Sequence, residues 1–164
     1  WYQKHMAHHM EGPVGIADLA EHTHAFLIRD PARVVASYAI KRVAVRPDHL
    51  GVARQRQYFD READRLGKAP PVIDSADILA QPTEMLAALC AALGIAFDPV
   101  MLHWAPGRRD TDGIWASHWY ESVEASTGFG APETKPIVLD AEAQAVADAC
   151  RADYDFLAGF RIAA

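Results

Sequence analysis

Arg29 and Ser37 flank a turn that a strand and a helix would build together, and their side chains are those an anion site uses. A guanidinium offers a planar fork for phosphate oxygens and a hydroxyl adds a donor, so the pair could grip one phosphate group. The same two residues also fit a plain structural role, with Arg29 paired to a carboxylate and Ser37 packed on a sheet. A second group, Gly107-Arg108-Arg109-Asp110-Thr111-Asp112-Gly113-Ile114-Trp115, sets two adjacent cations in a loop that could fold over an anionic ligand. A third, Lys4-His5-Met6-Ala7-His8-His9, supplies a cation to balance charge on a moving group and imidazoles to take an acceptor's proton. If Lys4 to His8 is extended, the period of two puts Lys4, Met6 and His8 on one face and His5 and His9 on the other. His8 is then the preferred base, with His9 and His5 behind it. Three histidines could also bind zinc, but no fourth ligand or Cys/His framework of recognisable spacing accompanies them, and no metal is expected.

These residues need elements to position them. Tyr2 to Met6 alternates enough to be a strand, and Ile16 to Glu21 is at most a short helix. His24 to Arg29 reads as a buried strand with both faces covered, because its apolar run is nearly continuous. Asp30 is a good N-cap and Pro31 a good first helical residue, so a helix opens there and carries Val34, Val35, Tyr38 and Ala39 toward a core. Leu50 to Leu66 reads as one helix with a stripe of Val52, Tyr58, Phe59 and Leu66, stopped by Gly67. Val72-Ile73 fits another inner strand, Gln81-Pro82-Thr83-Glu84 opens a third helix that ends at Gly94, and a last, structural helix runs from Asp140 to about Leu157. Helix and strand alternate, which favours an α/β layered sheet over a bundle or a sandwich.

The 164 residues have room for one domain, and 51% hydrophobic with 23% charged residues is a globular, soluble composition. No apolar stretch approaches the roughly 20 residues needed to cross a bilayer. A formal charge of −6 would repel a polyanion, so neither nucleic acid nor a membrane surface is an expected partner. The basic residues nevertheless crowd locally, at Arg29, Arg33, Lys41, Arg42 and Arg46 and again at Arg108-Arg109. Cys90 and Cys150 lie in apolar helical patterns without Cys-x-x-Cys spacing, which reads as buried free thiols in a reducing cytoplasm. Trp104, Trp115 and Trp119 read as core or lid packing.

The stretch from Phe26 to Tyr38 resembles the 3′-phosphate-binding motif of the sulfotransferases, Arg-x-Pro and, after five further residues, Ser. Arg29, Pro31 and Ser37 occupy all three places. About 70 residues on, Arg108, Arg109, Gly113 and Trp115 resemble the family's second donor-binding loop, Arg-Lys-Gly-x-x-Gly-x-Trp. Trp115 to Tyr120 and Ser126-Thr127-Gly128-Phe129 look like a bacterial branch. Two departures stand out: Asp110 replaces a Gly that would let a backbone N–H approach the phosphate, and Met6 stands where the family has a His two residues after its Lys. Asp74-Ser75-Ala76-Asp77 lies where the family often has Tyr-Glu-Asp, and Ser75 cannot stack on an adenine as the Tyr does.

The resemblance implies a P-loop-type α/β fold, a layered parallel sheet flanked by helices. It also implies sulfuryl transfer from 3′-phosphoadenosine 5′-phosphosulfate to a small-molecule hydroxyl or amine, with no metal. Arg29, Ser37, Arg108 and Arg109 would hold the donor, Lys4 would stabilise the transferring group, and His8, or else His9, would be the base. The family's first strand and its phosphosulfate-cradling loop find no counterpart here. Residues 1–164 are therefore expected to be the carboxyl-terminal portion of a single, truncated domain, an expectation that the start at Trp1 also suggests. Two other readings stay open: a non-catalytic nucleotide- or partner-binding module, and a nucleotide-dependent phosphotransferase on the same fold.

Overall fold

The structure, a computed structural model, describes residues 2–10, 15–39, 44–114, 116 and 120–164. Lys41, Arg42, Trp115, Ser117, His118 and Trp119, all singled out above, lie outside the described residues. The chain divides into two compact units, Trp1–Ser75 with Thr134–Ala163, and Ala76–Glu133.

The first unit is built on a short parallel sheet. Strand β1, Phe26–Ile28, pairs with β2, Val72–Asp74, in the register Phe26 to Val72, Leu27 to Ile73 and Ile28 to Asp74. Parallel pairing needs a crossover, and helices α1, Pro31–Ala39, α2, Pro47–Leu50, and α3, Val52–Leu66, supply it. The expected alternation of strand and helix therefore holds, in a helix-rich α/β arrangement. On the other side of β2 the chain returns near its end, where Arg161 bridges Val72 in parallel and Ile162 N–H donates to the Val72 carbonyl at 2.9 Å.

One face of the sheet carries the main core. Phe26, Ile28 and Val72 pack with Phe59 of α3, Leu157 of the last helix and Ile16 from the 3-10 turn Ile16–Leu19. Phe59 meets Phe26 and Phe156 edge to face, the arrangement aromatic quadrupoles favour. A smaller cluster of Val35, Val146 and Ala147 holds α1 against the C-terminal region.

Several expectations need correction. β1 is not covered on both faces: Leu27, opposite in sense to Phe26 and Ile28, is 53% exposed, and the carbonyl on its edge of the strand accepts a side-chain bond from Gln55 Nε2 at 2.7 Å. Tyr2 to Met6 forms no strand. Alternation is only half of a strand's requirement, and this segment pairs with no other; it leads into a 3-10 turn at Ala7–His9. The helix read over Leu50–Leu66 is two helices, because Gly51 takes φ +70, ending α2 and opening α3 at a corner. Within α3 the predicted stripe member Leu66 is exposed, while Glu62 is buried at 1% exposure. Its carboxylate accepts from Arg65 Nε and Nη2 at 3.0 and 2.6 Å, which offsets the cost of burying the charge.

The last helix is likewise two. Asp140, the residue at which the helix was expected to begin, caps the first, its carboxylate accepting from Ala143 N–H at 2.8 Å, and the helix ends at Cys150, whose N–H turns back to the Ala147 carbonyl. The second, Arg151–Ala158, then faces α3 and both strands, while Ala141–Ala149 faces α1.

Helix α4, Ser75–Ala80, follows β2 in the chain and opens the second unit from Ala76, and α5 follows at Pro82–Leu93 with Gly94 at φ +71 as its stop. A 3-10 turn at Pro99–Leu102 and a short helix α6, Glu121–Glu124, complete it. The helices Ala141–Ala149 and Arg151–Ala158 are α7 and α8. Both cysteines are free and buried, as expected. Among the described residues no helix is long and apolar enough to cross a membrane.

Candidate functional site

Arg29 is the first residue beyond β1, at the carboxyl end of the strand, where open α/β sheets bind ligands. The chain turns there because Asp30 caps α1: its Oδ1 accepts from Ala32 N–H at 2.9 Å and from Arg33 N–H at 3.3 Å, and its carbonyl takes the first helical bond from Val34. Pro31, buried, has no N–H to leave unpaired at that position. Ser37 follows on α1 and is exposed, and Arg29 is half-buried. The first-turn amides are thus already bonded to Asp30, so an anion arriving here would meet side chains in place of open backbone N–H groups.

The parallel register sets Asp74 beside Ile28, so the carboxyl ends of both strands share one side of the sheet. Helix α8 reaches that side twice. Arg151 Nη2 donates to Asp30 Oδ2 at 2.9 Å, and the Tyr154 hydroxyl donates to Asp74 Oδ2 at 2.6 Å. Asp74 is 1% exposed and also lies 3.9 Å from Arg161 Nη1. Burial, and then the hydrogen bond to Asp74, push the Tyr154 hydroxyl well above the usual tyrosine range. Burial followed by the nearby Asp153 charge raises the Cys150 thiol too, which leaves it a poor nucleophile.

The histidine segment is held differently from the extended arrangement predicted for it. Lys4 and His5 are exposed and precede the turn, with His5 Nε2 3.1 Å from Gln3 Oε1. His8 lies within the 3-10 turn and so does not share a strand face with Lys4 and Met6. It packs on the α2–α3 corner, where a Cβ on Gly51 would come within 3.1 Å of His8 Nδ1. His9, exposed, meets the His8 ring edge to face with centroids 4.2 Å apart. Of the three imidazoles beside Lys4, His8 is the one fixed by packing.

In the second unit Arg108 and Arg109 belong to an exposed loop that folds on itself. Arg109 N–H donates to Asp112 Oδ2 at 2.9 Å, Asp112 N–H donates back to the Arg109 carbonyl at 3.0 Å, and Gly107, at φ +98, donates to the Glu124 carbonyl at 2.7 Å. The loop thus carries two carboxylates, Asp110 and Asp112, within a few residues of the two cations in the chain, and Asp112 closes the turn on the Arg109 backbone.

The sequence pattern of the sulfotransferase domain matches residues 1–156. The chain belongs to the sulfotransferase family. Two curated relatives from Arabidopsis thaliana carry other names. Branched-chain-amino-acid aminotransferase-like protein 2 is 32% identical over 119 residues, 72% of this chain and 21% of its own length. Branched-chain-amino-acid aminotransferase-like protein 1 is 34% identical over 116 residues, 69% of this chain and 20% of its own. The chain thus spans about a fifth of the length of these relatives. No solved structure matches it.

Within this sulfotransferase domain, sequence reasoning noted the Asp74-Ser75-Ala76-Asp77 segment and read the last helix as structural, but it gave no place at the strand ends to Asp74, Arg151 or Tyr154. Asp74 had a signal, as the one acid closing an apolar run before a helix. Arg151 and Tyr154 had a weaker one, the three-residue spacing that puts them on the same side of α8. The second unit also holds an open groove of about 420 Å³, lined by Pro82, Thr83, Leu102, His103, Thr127 and Phe129 among others. An antiparallel bridge between His103 and Gly128 forms part of it, and Trp104 braces it through Phe129 and a 3.0 Å bond to Ser126 Oγ. This matches the packing role expected of Trp104.

Proposed function

We propose that this sulfotransferase domain belongs to the bacterial-type branch and uses 3′-phosphoadenosine 5′-phosphosulfate as donor and a small hydroxyl or amine compound as acceptor, in the cytoplasm. The observation that supports the reading is the strand-end turn, where Asp30 already engages the amides of the helix start; on this reading Arg29 and Ser37 would be the donors for one phosphate group. Arg108 and Arg109 are assigned to donor binding by the resemblance of their loop to the family's second donor-binding loop. In the reaction the acceptor atom forms a bond to sulfur while the bond from sulfur to the bridging phosphate oxygen breaks. The acceptor's proton passes to His8, and 3′-phosphoadenosine 5′-phosphate leaves. Lys4 balances charge on the transferring group, and His9 is the second choice of base. The packing of His8 against Gly51 supports its assignment, since a general base must be held in position.

On this reading residues 1–164 are the carboxyl-terminal portion of one domain with P-loop-type layering. Its first strand and phosphosulfate loop would come from residues outside this segment. The exposed Leu27 and the outer edge of β1, bonded to a side chain in place of a strand, support such an addition. The test is transfer of radiolabelled sulfate from the donor to a panel of phenols and amines by the intact protein. Labelled product is expected, with His8→Ala slowing its formation about a hundredfold. Absence of transfer by the intact protein across the panel, or an unaffected rate in His8→Ala, would count against the reading.

A further inference from the structure

We propose that Arg151 serves the anion site at one remove, as a positioning residue that keeps the Asp30 carboxylate compensated and away from Arg29. The inference rests on Arg29 being the phosphate ligand and adds to that site a residue 121 positions away from Asp30 in the chain.

Asp30 presents the site with a conflict. Its Oδ1 is needed to cap α1, and that bond fixes where Arg29 leaves the strand. The same carboxylate sets a full negative charge one residue from the cation that must attract a phosphate. Uncompensated, it would both repel the ligand and compete for the guanidinium of Arg29. Arg151 resolves the conflict by taking the second oxygen, Oδ2, at 2.9 Å while Oδ1 stays with the helix.

Arg151 is itself held in place. Its guanidinium lies 5.3 Å from the Tyr154 ring and 3.7 Å from Asp155 Oδ1, and Tyr154 is tied to Asp74 at the end of β2. Because Asp74 is in register with Ile28, α8 is anchored on both strands at the side where Arg29 emerges. With side chains 40% and 33% exposed, the Arg151–Asp30 pair adds little to stability by itself, so its effect should be felt mainly as local charge.

The experiment is a double-mutant cycle read by calorimetric titration of the intact protein with adenosine 3′,5′-bisphosphate and with adenosine 5′-monophosphate. Arg151→Met should weaken the bisphosphate roughly three- to tenfold and leave the monophosphate within about twofold, with Arg151→Lys recovering part of the loss. In an Asp30→Asn background, where the cap persists without the charge, Arg151→Met should cost nothing further. Equal loss for both nucleotides would mean a merely structural role, and an undiminished loss in the Asp30→Asn background would mean that Arg151 binds phosphate directly. Either result overturns the proposal. If the unmodified protein binds both nucleotides equally, the phosphate reading of Arg29 has failed instead. The clamp is then judged by amide hydrogen exchange over Ala32 to Val35: faster exchange in Arg151→Met supports it, and unchanged exchange overturns it.

Discussion

The two cationic regions of this chain are held in place by opposite means. At the end of β1, Arg29 stands on a turn fixed from far away in sequence: Gln55 holds the Leu27 carbonyl, Arg151 holds Asp30, and Tyr154 holds Asp74 on the neighbouring strand. In the loop that carries Arg108 and Arg109, short-range bonds join Arg109 to Asp112, and among the described residues a longer one runs from Gly107 to Glu124. The first region is positioned by core packing and is preorganised before a ligand arrives. The second is a local turn with its own carboxylates, able to rearrange around a ligand at the cost of its internal bonds. A preorganised cation contributes more affinity, because less ordering remains to be done on binding. The contrast predicts an unequal division of labour between the two regions.

On the proposed function the largest effect should come from Arg29→Ala, which would remove charge-assisted bonds to the phosphate and weaken the 3′-phosphorylated nucleotide about fiftyfold. Calorimetric titration measures this directly. A loss no larger than that for the loop arginines would break the contrast. Next is Tyr154→Phe, which removes one donor from a buried carboxylate and should cost about 1–3 kcal/mol of stability in urea unfolding. The same pair predicts a pH signature. A hydroxyl whose folded pKa lies above its unfolded value near 10 adds stability below that pH, and loses it as pH rises through the folded value. Unfolding free energy should therefore fall more steeply above about pH 10 in the parent than in Tyr154→Phe.

A smaller effect is expected from Arg109→Ala, about threefold to tenfold in affinity for the same nucleotide, since the loop must be reordered to use it. The smallest is Asp112→Ala, which opens the turn at a cost of about 0.5–1.5 kcal/mol in the same urea measurement. By removing a nearby negative charge it should leave nucleotide affinity unchanged or slightly higher. A marked fall in affinity would show that the turn, with its bonds intact, is the binding form.

How much of this was legible in the sequence follows the same division. Features set by neighbouring residues could be read: the Asp30 cap with Pro31 after it, the start of the last helical region at Asp140, and the stops at Gly67 and Gly94. So could the two strands, whose apolar runs stand out from their flanks. Gly51 hid inside a convincing helical stripe, because a glycine there signals a break only through the φ that the fold imposes on it. Cys150 gave no breaker signal either; α7 and α8 separate because each has a different partner surface. Tyr2 to Met6 misled because a period of two describes one strand and says nothing of whether another pairs with it. For the candidate site, the motifs gave the residue types at Arg29 and Ser37. The partners that hold the site, Arg151, Tyr154 and Asp74, come from distant parts of the chain, and only the fold brings them to the strand ends. Glu62 belongs with them: a charge on an amphipathic helix is ordinarily read as solvated, and here the buried carboxylate is paired from the exposed side by Arg65.

The claim that most depends on all of this is that the strand-end turn recognises a 3′-phosphate. Its most direct test is calorimetric titration of the intact protein with 3′-phosphoadenosine 5′-phosphate and with its 3′-dephospho analogue. The account predicts tighter binding of the 3′-phosphorylated nucleotide by at least about tenfold, an advantage abolished in Arg29→Ala. Equal affinity for the two nucleotides would contradict it.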